Sequence, residues 1–393
     1  MFNFHGKLDI SKSWMNRALI IQSFNPGAIS IEGSSSSQDV LLLQQALIDL
    51  SNSKKEFHAG LGGTTFRFLA LRVSRHVGEF FIHAEPALLA RPQQELLNIF
   101  EQLGVQAQFE DQGLRIKSQG WKEPKGILKV CTNESSQFLS AVLLSSVNLS
   151  FDLHIRIEDE VISADYFKYT LQLLKQCGIN AIEFEDSIFI AKEQKLTRMT
   201  LQGEVDVSSA FSLVVAAVFD GSVKIENWCS ETLQPDIQFL KFFQRMGIQF
   251  EIQGCTFKIS QQHSYKNLSA NLNGCPDLFP VLAALCAFSK GESHLYGATQ
   301  LKFKESDRIL KTTELLKKCG FEVQELEDGI RIKGHPDMQY TLKKEILFNP
   351  EHDHRMAMAA AILKLRGFPV RLTHPEVVNK SYPQFYKHIG LDL

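Results

Sequence analysis

The chain has 393 residues, of which 44% are hydrophobic and 22% are charged, and its formal net charge is −2. This length predicts two or three domains, and this composition is typical of a globular protein with sizeable cores. A charge so close to neutral argues against a protein that wraps nucleic acid with a broad basic surface, although it leaves room for a local cationic site.

The seven cysteines and the chain's N-terminal residues bear on the cellular compartment. No two cysteines have the C-x-x-C spacing, and their number is odd, which argues against a disulfide framework or a structural zinc site. The first residues show no signal-peptide pattern, and no apolar run is long enough to cross a bilayer. We therefore expect a cytoplasmic protein that binds neither membrane nor nucleic acid.

The first predicted helices begin with residues that suit anion binding. Ser11-Lys12-Ser13 precedes a helix that carries Arg17, and the glycine- and threonine-rich residues 60–65 precede a second helix. A helix N-terminus exposes free N–H groups and the positive end of the helix dipole, so it can hold phosphate or carboxylate. Simple helix capping is the alternative for any one of these starts.

A repeated pattern follows along the chain, in which an amphipathic helix, a glycine and two short strands succeed one another. It occurs at residues 96–117, 171–191, 239–259 and 312–333. The linking glycines suit the C′ position of a helix, where a left-handed backbone is favourable without a Cβ; they are Gly104, Gly178, Gly247 and Gly320. Further helices at 136–146 and 280–289, with degenerate copies near 40–50 and 356–366, predict six α/β units, unless the similarity is coincidental.

Later helix starts repeat the anion-binding theme. Ser135-Ser136-Gln137 and Asp353-His354-Arg355 each precede an apolar helix, and Asp277 heads another. The charged segment 304–308 lies between them in sequence. The alternatives are that this segment is a solvated turn and that Asp277 only caps its helix.

Eight blocks of this sequence together resemble the EPSP synthase (3-phosphoshikimate 1-carboxyvinyltransferase) family of enolpyruvyl transferases over nearly the full chain. The blocks are SKSWMNRAL (11–19), GGTTFR (62–67), ARP (90–92), SSQFLSAVLL (135–144), PD (276–277), KFKESDRI (302–309), DHRMAMAAA (353–361) and NKSYPQF (379–385). The resemblance implies an α/β (α+β) fold of two similar domains. Each domain comprises three βαβαββ units, like an inverse α/β barrel, and the active site lies in the interdomain cleft. We expect residues 1–9 and 207–393 to form the first domain, and 10–206 the second, with crossings near Asp9 and Asp206.

The resemblance also assigns binding residues. For 3-phosphoshikimate these are Lys12, Ser13, Arg17, Ser135, Ser136, Gln137, Ser163, Tyr166, Asp277, Gln300 and Lys304. For phosphoenolpyruvate they are Lys12, Gly63, Thr64, Arg91, Gln137, Arg308, Arg355 and Lys380. The chain departs from the family pattern at Asp9-Ile10 (usually Pro-Gly), Leu61 (Asn), Phe68 (Pro), Ala87 (Arg) and Gln300 (Asn).

The reaction implied by the resemblance joins two polyanions, so it requires cations to offset their repulsion. The 5-hydroxyl of 3-phosphoshikimate adds to C2 of phosphoenolpyruvate while C3 gains a proton, and the tetrahedral intermediate then loses phosphate. The resemblance implies Asp277 as the base that takes the hydroxyl proton and Glu305 or Lys12 as the acid. It implies no metal and no organic cofactor, and we expect a monomer.

Three alternatives remain at this stage. One is the related enolpyruvyl transferase that acts on UDP-N-acetylglucosamine, although Ser11-Lys12-Ser13 differs from its Lys-Asn signature. Another is a nucleic-acid end-processing protein built from similar units, which the net charge disfavours. The third is a catalytically impaired homologue, which Leu61 and Ala87 keep open.

Overall fold

The computed structural model describes residues 1–159, 164–340 and 344–392 and assigns them to two units. One unit contains Met1–Asp9 and Glu204–Leu393, and the other contains Ile10–Gly203. We expected the second crossing after Asp206, but it lies after Gly203. Residues 204–206 belong with the first unit because the Asp206 N–H donates to the Asp9 carbonyl at 3.0 Å and Glu204 accepts hydrogen bonds from Thr232 and Gln234.

The described residues form helices and strands that alternate along the chain. The helices are α1 (Lys12–Phe24), α2 (Gln38–Ser51), α3 (Gly63–Val73), α4 (Pro86–Leu89), α5 (Gln94–Gln102), α6 (Gln137–Ser145), α7 (Ala164–Gln176), α8 (Val207–Asp220), α9 (Phe239–Met246), α10 (Phe279–Cys286), α11 (Arg308–Lys318), α12 (His354–Leu365) and α13 (Phe385–His388). Short 3₁₀ turns occupy Pro235–Gln238, Pro276–Leu278, Thr299–Phe303 and Pro375–Lys380.

The strands of the described residues are short, with three to seven residues each, because a turn or helix soon follows. They are β1 (Phe2–Gly6), β2 (Ile29–Glu32), β3 (Glu56–His58), β4 (Val77–His83), β5 (Gln106–Glu110), β6 (Gly113–Gln119), β7 (Leu128–Val130), β8 (Leu153–Ile157), β9 (Ala181–Glu183), β10 (Ser187–Ile190), β11 (Met199–Gln202), β12 (Gly221–Ile225), β13 (Phe250–Gln253), β14 (Thr256–Ser260), β15 (Ser269–Asn271), β16 (Gly291–Tyr296), β17 (Val323–Leu326), β18 (Gly329–Gly334), β19 (Ile346–Phe348) and β20 (Val370–Leu372).

Four sheets share one topology, in which a parallel pair of strands continues into an antiparallel hairpin. Their strand orders are β1-β12-β14-β13, β3-β4-β6-β5, β7-β8-β10-β9 and β15-β16-β18-β17. The described part of the chain has two further sheets, and each consists of a parallel pair only: β2 with β11, and β19 with β20. The predicted helix–glycine–hairpin repeats are confirmed, since each hairpin follows α5, α7, α9 or α11 and the linking glycines have φ between 70° and 90°.

Each unit has its own hydrophobic core, and three helices run through it with few exposed residues. These are α1, α3 and α6 in the Ile10–Gly203 unit and α8, α10 and α12 in the other. A helix whose residues are mostly buried lies inside a core, where neighbouring helices cover it. The N-termini of five of these six helices carry residues assigned above to the binding site.

Although these helices are buried, no helix within residues 1–159, 164–340 and 344–392 has both the length and the hydropathy to span a membrane. The longest of these buried helices, α8, has 14 residues, whereas a spanning helix needs about 20.

Candidate active site

The assigned residues are divided between the two units. Lys12, Ser13, Arg17, Gly63, Thr64, Arg91, Ser135, Ser136, Gln137 and Tyr166 belong to the Ile10–Gly203 unit, and Asp277, Gln300, Lys304, Glu305, Arg308, Arg355 and Lys380 belong to the other. Ser163 lies outside the described residues. All four predicted anion-binding helix starts are confirmed as helix N-termini, at α1, α3, α6 and α12.

Adjacent helix starts in the Ile10–Gly203 unit bring together three of the assigned residues. Lys12, in the first turn of α1, donates to Asp39 at 2.9 Å. A Cβ on Gly62, the residue before α3, would lie 2.9 Å from the same carboxylate, and a Cβ on Gly63 would lie 3.0 Å from Arg91. Because Gly62 and Gly63 have no side chains, the first N–H groups of α3 can lie close to Lys12 and Arg91. This arrangement suits the binding of phosphate or carboxylate.

Arg67 organises the start of α6 although sequence reasoning gave it no role. Its guanidinium donates to Gln137 at 2.9 Å and to Ser135 at 3.2 Å. It is also held by Gln93 at 3.0 Å and by the Pro92 carbonyl at 2.8 Å. Arg67 thus fixes two residues that the resemblance assigned to 3-phosphoshikimate. The available signal was an arginine between two phenylalanines, Phe66 and Phe68, in the first half of α3.

Arg17 is a buried cation whose hydrogen bonds go to neutral oxygens. It donates to Thr170 at 2.7 Å, to the Ser13 carbonyl at 2.8 Å and to the Tyr166 carbonyl at 3.2 Å. Burial lowers the pKa of Arg17 to about 10, so it stays charged at neutral pH. Its guanidinium carbon lies 5.4 Å from the ring centroid of Phe68, which gives the departure at position 68 a cation–π role.

Arg308 is the centre of the cluster in the other unit. It is 1% exposed and donates to Asp353 and to Asp277 at 2.7 Å each, and to Glu305 at 3.2 Å. Burial opposes its charge, but these carboxylates raise the pKa of Arg308 well above its usual value. Asp353 also caps α12 by accepting from the Arg355 N–H at 2.9 Å. Arg308 therefore ties the start of α12 to Asp277 and the 304–308 segment.

Asp277, the assigned base, precedes α10 and is held by cations. Besides Arg308, it receives a longer contact of 3.5 Å from Arg355, and its side chain is 28% exposed. Burial by itself would raise the pKa of Asp277, but Arg308, Arg355 and Lys304 lower it well below the usual range. Asp277 is consequently an ionised carboxylate, and it becomes a stronger base only where other anions offset those cations.

Glu305 and Lys380 form an ion pair at 2.5 Å, although they are 75 positions apart in sequence. Gln300 is also in this unit, 2% exposed, and its amide donates to the Asn273 carbonyl at 3.3 Å. These contacts place Glu305 and Lys380 beside Arg308 and leave Gln300 packed beneath the surface.

Two further acids lie near Arg355, and sequence reasoning gave neither a role in the site. Asp206 accepts from the Ser209 N–H at 2.7 Å and so caps α8. Asp236 accepts from the Ser208 hydroxyl, and burial together with Asp277 raises the pKa of Asp236 to about 7. Burial opposes the charge of Arg355, but Asp277, Asp236 and Asp206 raise its pKa. Within the described residues no group of three His, Cys, Asp or Glu side chains is arranged to hold a metal ion.

Comparisons with known proteins identify the family of this chain. A family model described as EPSP synthase (3-phosphoshikimate 1-carboxyvinyltransferase) matches residues 49–389. Among curated relatives, a 3-phosphoshikimate 1-carboxyvinyltransferase of Vibrio campbellii is 28% identical, over 96% of this chain and 93% of its own. One of Clostridium novyi is 29% identical, over 98% and 94%.

Solved structures share the fold. An EPSP synthase from Acinetobacter baumannii superposes with a TM-score of 0.73 at 22% identity, over 99% of this chain and 95% of that one. The enolpyruvyl transferase NikO from Streptomyces tendae gives a TM-score of 0.71 at 11% identity, over 99% and 94%. With a family model matched over most of its length, this chain belongs to the EPSP synthase (3-phosphoshikimate 1-carboxyvinyltransferase) family.

Proposed function

We propose that this chain catalyses the reaction of its family. It transfers the enolpyruvyl group of phosphoenolpyruvate to the 5-hydroxyl of 3-phosphoshikimate and releases phosphate, a step of the shikimate pathway to chorismate and the aromatic amino acids. The observation that carries the proposal is the set of cations at or beside helix starts in both units. Lys12 and Arg91 flank α3, while Arg308 and Arg355 lie at the starts of α11 and α12.

Charge is the main requirement of this reaction, because both substrates are polyanions. Free helix N–H groups and guanidinium groups are the donors that bind phosphate and carboxylate best. Arg17 donates hydrogen bonds to neutral oxygens of Thr170, Ser13 and Tyr166. These contacts support its assignment to an anionic group of 3-phosphoshikimate, since a buried cation is stabilised by an opposite charge. Holding both substrates in one orientation adds the advantage of proximity.

Proton transfer is the second requirement, and Asp277 is the proposed base. Its low pKa makes Asp277 a weak base as long as no substrate anion is bound and Arg308 and Arg355 interact with Asp277. Substrate anions that share those cations would raise its pKa toward a useful value. The hydroxyl proton then passes to Asp277, while Glu305 or Lys12 supplies the proton to C3. As phosphate leaves the tetrahedral intermediate, C3 returns a proton to the group that supplied it and the enol ether forms, while Asp277 passes the hydroxyl proton to the released phosphate.

The test is a coupled phosphate-release assay with 3-phosphoshikimate and phosphoenolpyruvate. We expect turnover by the native chain, and a loss of kcat of at least about 100-fold in Asp277→Asn with KM values changed only a few-fold, because general base catalysis contributes about 10²–10⁴. Asp328→Asn is the matched control, since that carboxylate accepts from the Gly297 N–H elsewhere in the same unit. No phosphate release at saturating substrates would defeat the proposal.

The same assay separates the alternatives. Phosphate release with UDP-N-acetylglucosamine in place of 3-phosphoshikimate would favour the related transferase. Binding of both substrates without release would favour a catalytically impaired homologue. Native turnover in Asp277→Asn would remove that residue from the base role but leave the overall reaction standing. We also propose that the protein is a cytoplasmic monomer, and its seven free thiols suit a reducing compartment.

A further inference from the structure

A groove of about 570 Å³ lies in the Ile10–Gly203 unit between the C-terminal parts of α1, α2 and α3. Its apolar lining includes Leu19, Leu47 and Ile48, and Arg72 and Ser23 line it as well. Lys12 and Ser23 are eleven residues apart on one helix, so the groove lies roughly 16 Å along α1 from the helix starts described above. Its volume is in the range of about 300–1,000 Å³ that small-molecule sites occupy.

Arg72 is the buried cation of this groove, with 5% of its surface exposed. Its Nε donates to the Ser23 hydroxyl at 2.7 Å, one Nη donates to the Ser23 carbonyl at 3.0 Å, and the other contacts His76 at 2.7 Å. The guanidinium also lies 4.1 Å from the ring centroid of Phe24. These contacts fix the side chain, and they use three of the five N–H groups of an arginine.

No acidic residue among those that the structure describes neutralises the positive charge of Arg72 in the groove. Burial, and then Arg72, lower the pKa of His76 to about 4, so its ring is neutral at pH 7 and accepts from Arg72. Burial, and then Arg75, lower the pKa of Arg72 to about 10, which leaves it positively charged. Among the described residues, no Asp or Glu lines the groove, and the hydrogen bonds of Arg72 go to Ser23 and His76.

A second arginine near the groove, Arg75, does not compete with Arg72 for a ligand. Arg75 donates to the carbonyls of Ser145, Val147 and Asn148, at and beyond the end of α6. Cations are favourable at a helix C-terminus, so Arg75 already has a structural role there. Among the described residues that line the groove, Arg72 is the one arginine or lysine, and the matching ligand charge is a single negative one.

We propose that this groove is a second small-molecule site, which binds a monocarboxylate carrying an apolar chain or ring. The carboxylate accepts from the remaining N–H groups of Arg72, and the apolar part packs against Leu19, Leu47 and Ile48. A paired carboxylate offsets the cost of burying the guanidinium, and planar guanidinium groups match carboxylates well. This proposal does not depend on the proposed function, because its residues take no part in the transfer reaction.

The test measures binding of 3-phenylpropionate to the full chain by isothermal titration, with 3-phenylpropanamide as the uncharged analogue. We expect saturable one-to-one binding of the acid with a dissociation constant of about 1 mM or below. The amide should bind at least about tenfold more weakly, because it lacks the charge that pairs with Arg72. Equal binding of acid and amide, or no saturation by the acid, would overturn the proposal.

Variants locate the binding. Ile48→Glu should weaken binding of the acid at least about tenfold, since the new carboxylate repels the probe or occupies Arg72. Ile182→Glu is the control, because both isoleucines are 53% exposed and Ile182 lies on β9, away from the groove. Arg72→Gln should abolish the preference for acid over amide, and if that variant does not fold, Ile48→Glu decides.

A competition experiment excludes the other anion-binding region. Excess phosphoenolpyruvate should leave the affinity for 3-phenylpropionate unchanged. Displacement of the probe by phosphoenolpyruvate, or unchanged binding in Ile48→Glu, would show that the probe binds elsewhere and would refute the assignment. Neither result would bear on phosphate release, so a failure here is distinct from a failure of the proposed function.

Discussion

Arg67 shows how a single residue supports a binding surface from beneath. It is 2% exposed, and its guanidinium carbon lies 4.4 Å from the ring centroid of Phe138. From there its planar group reaches Ser135, Gln137, Gln93 and a backbone carbonyl at once. A lysine offers a point charge on a flexible stem and cannot make this set of bonds, so the two residues are not interchangeable here.

Arg67→Lys should therefore impair substrate binding more than folding. We expect KM for 3-phosphoshikimate to rise roughly tenfold, because Gln137 loses a charge-assisted hydrogen bond worth about 1.5–3 kcal/mol. The value of kcat should change less than KM. Steady-state kinetics with each substrate varied in turn measures this split.

Arg115→Lys provides the matched control for this prediction. Arg115 is in the same unit, and its partners are the partly exposed Glu110 and the exposed Glu79. Its replacement should leave both KM values near those of the native chain, since exposed pairs contribute little. If Arg67→Lys lowers the melting temperature but leaves KM unchanged, the residue is structural only.

Among the secondary-structure elements, the helix–glycine–hairpin repeats share a left-handed glycine, but its surroundings differ between copies. Gly178 has φ 88° and Gly104 has φ 70°. A Cβ on Gly178 would lie 2.3 Å from the Thr197 hydroxyl and 3.3 Å from the Thr197 backbone nitrogen, which is hydrogen-bonded to Cys177. A Cβ on Gly104 would meet the side chain of Lys122 at 2.9 Å, and that flexible chain can move aside.

Gly178→Ala should consequently destabilise this unit more than Gly104→Ala. Both variants bear the left-handed strain of about 1–2 kcal/mol, and Gly178→Ala adds a packing clash of about 1–3 kcal/mol. Thermal unfolding measures the difference. Replacing Thr197 with Ala should recover part of the loss in Gly178→Ala, and an equal melting temperature for the two glycine variants would contradict the clash.

At the scale of the whole molecule, the two units differ in how the chain builds them. Residues 10–203 form one continuous segment with its own core. The other unit needs Met1–Asp9, because β1 pairs in parallel with β12 and Phe4 and Leu8 pack into its core. Continuous chain and a separate core are the properties of a segment that folds independently.

Residues 10–203 expressed alone should therefore fold cooperatively, whereas residues 204–393 without the first nine residues should be unstable. Heteronuclear NMR spectra and urea unfolding of the two fragments test this. A fragment in which residues 1–9 are joined by a linker to residue 204 is the control, and it should regain stability. Poorly dispersed spectra for residues 10–203 would contradict the prediction.

Sequence patterns predicted those parts of the molecule that depend on neighbouring residues. Helix starts, C′ glycines and hairpins have local signals, so the four repeats and the starts of α1, α3, α6 and α12 were predictable. The partners of the site residues were not, because they come from distant positions. Asp39 is 27 positions from Lys12, and Asp353 is 45 positions from Arg308. The role of Arg67 was missed for the same reason.

The pairing of β1 with β12 also sets an order of events during translation. The Leu8 N–H bonds to the side chain of Asn227, which is 219 positions later. At ribosomal speeds of about 5–20 residues per second, that partner emerges roughly 10–40 s after Leu8. The ribosome has synthesised all of Ile10–Gly203 before then. The N-terminal strand β1 therefore remains unpaired during the time in which the Ile10–Gly203 unit can fold.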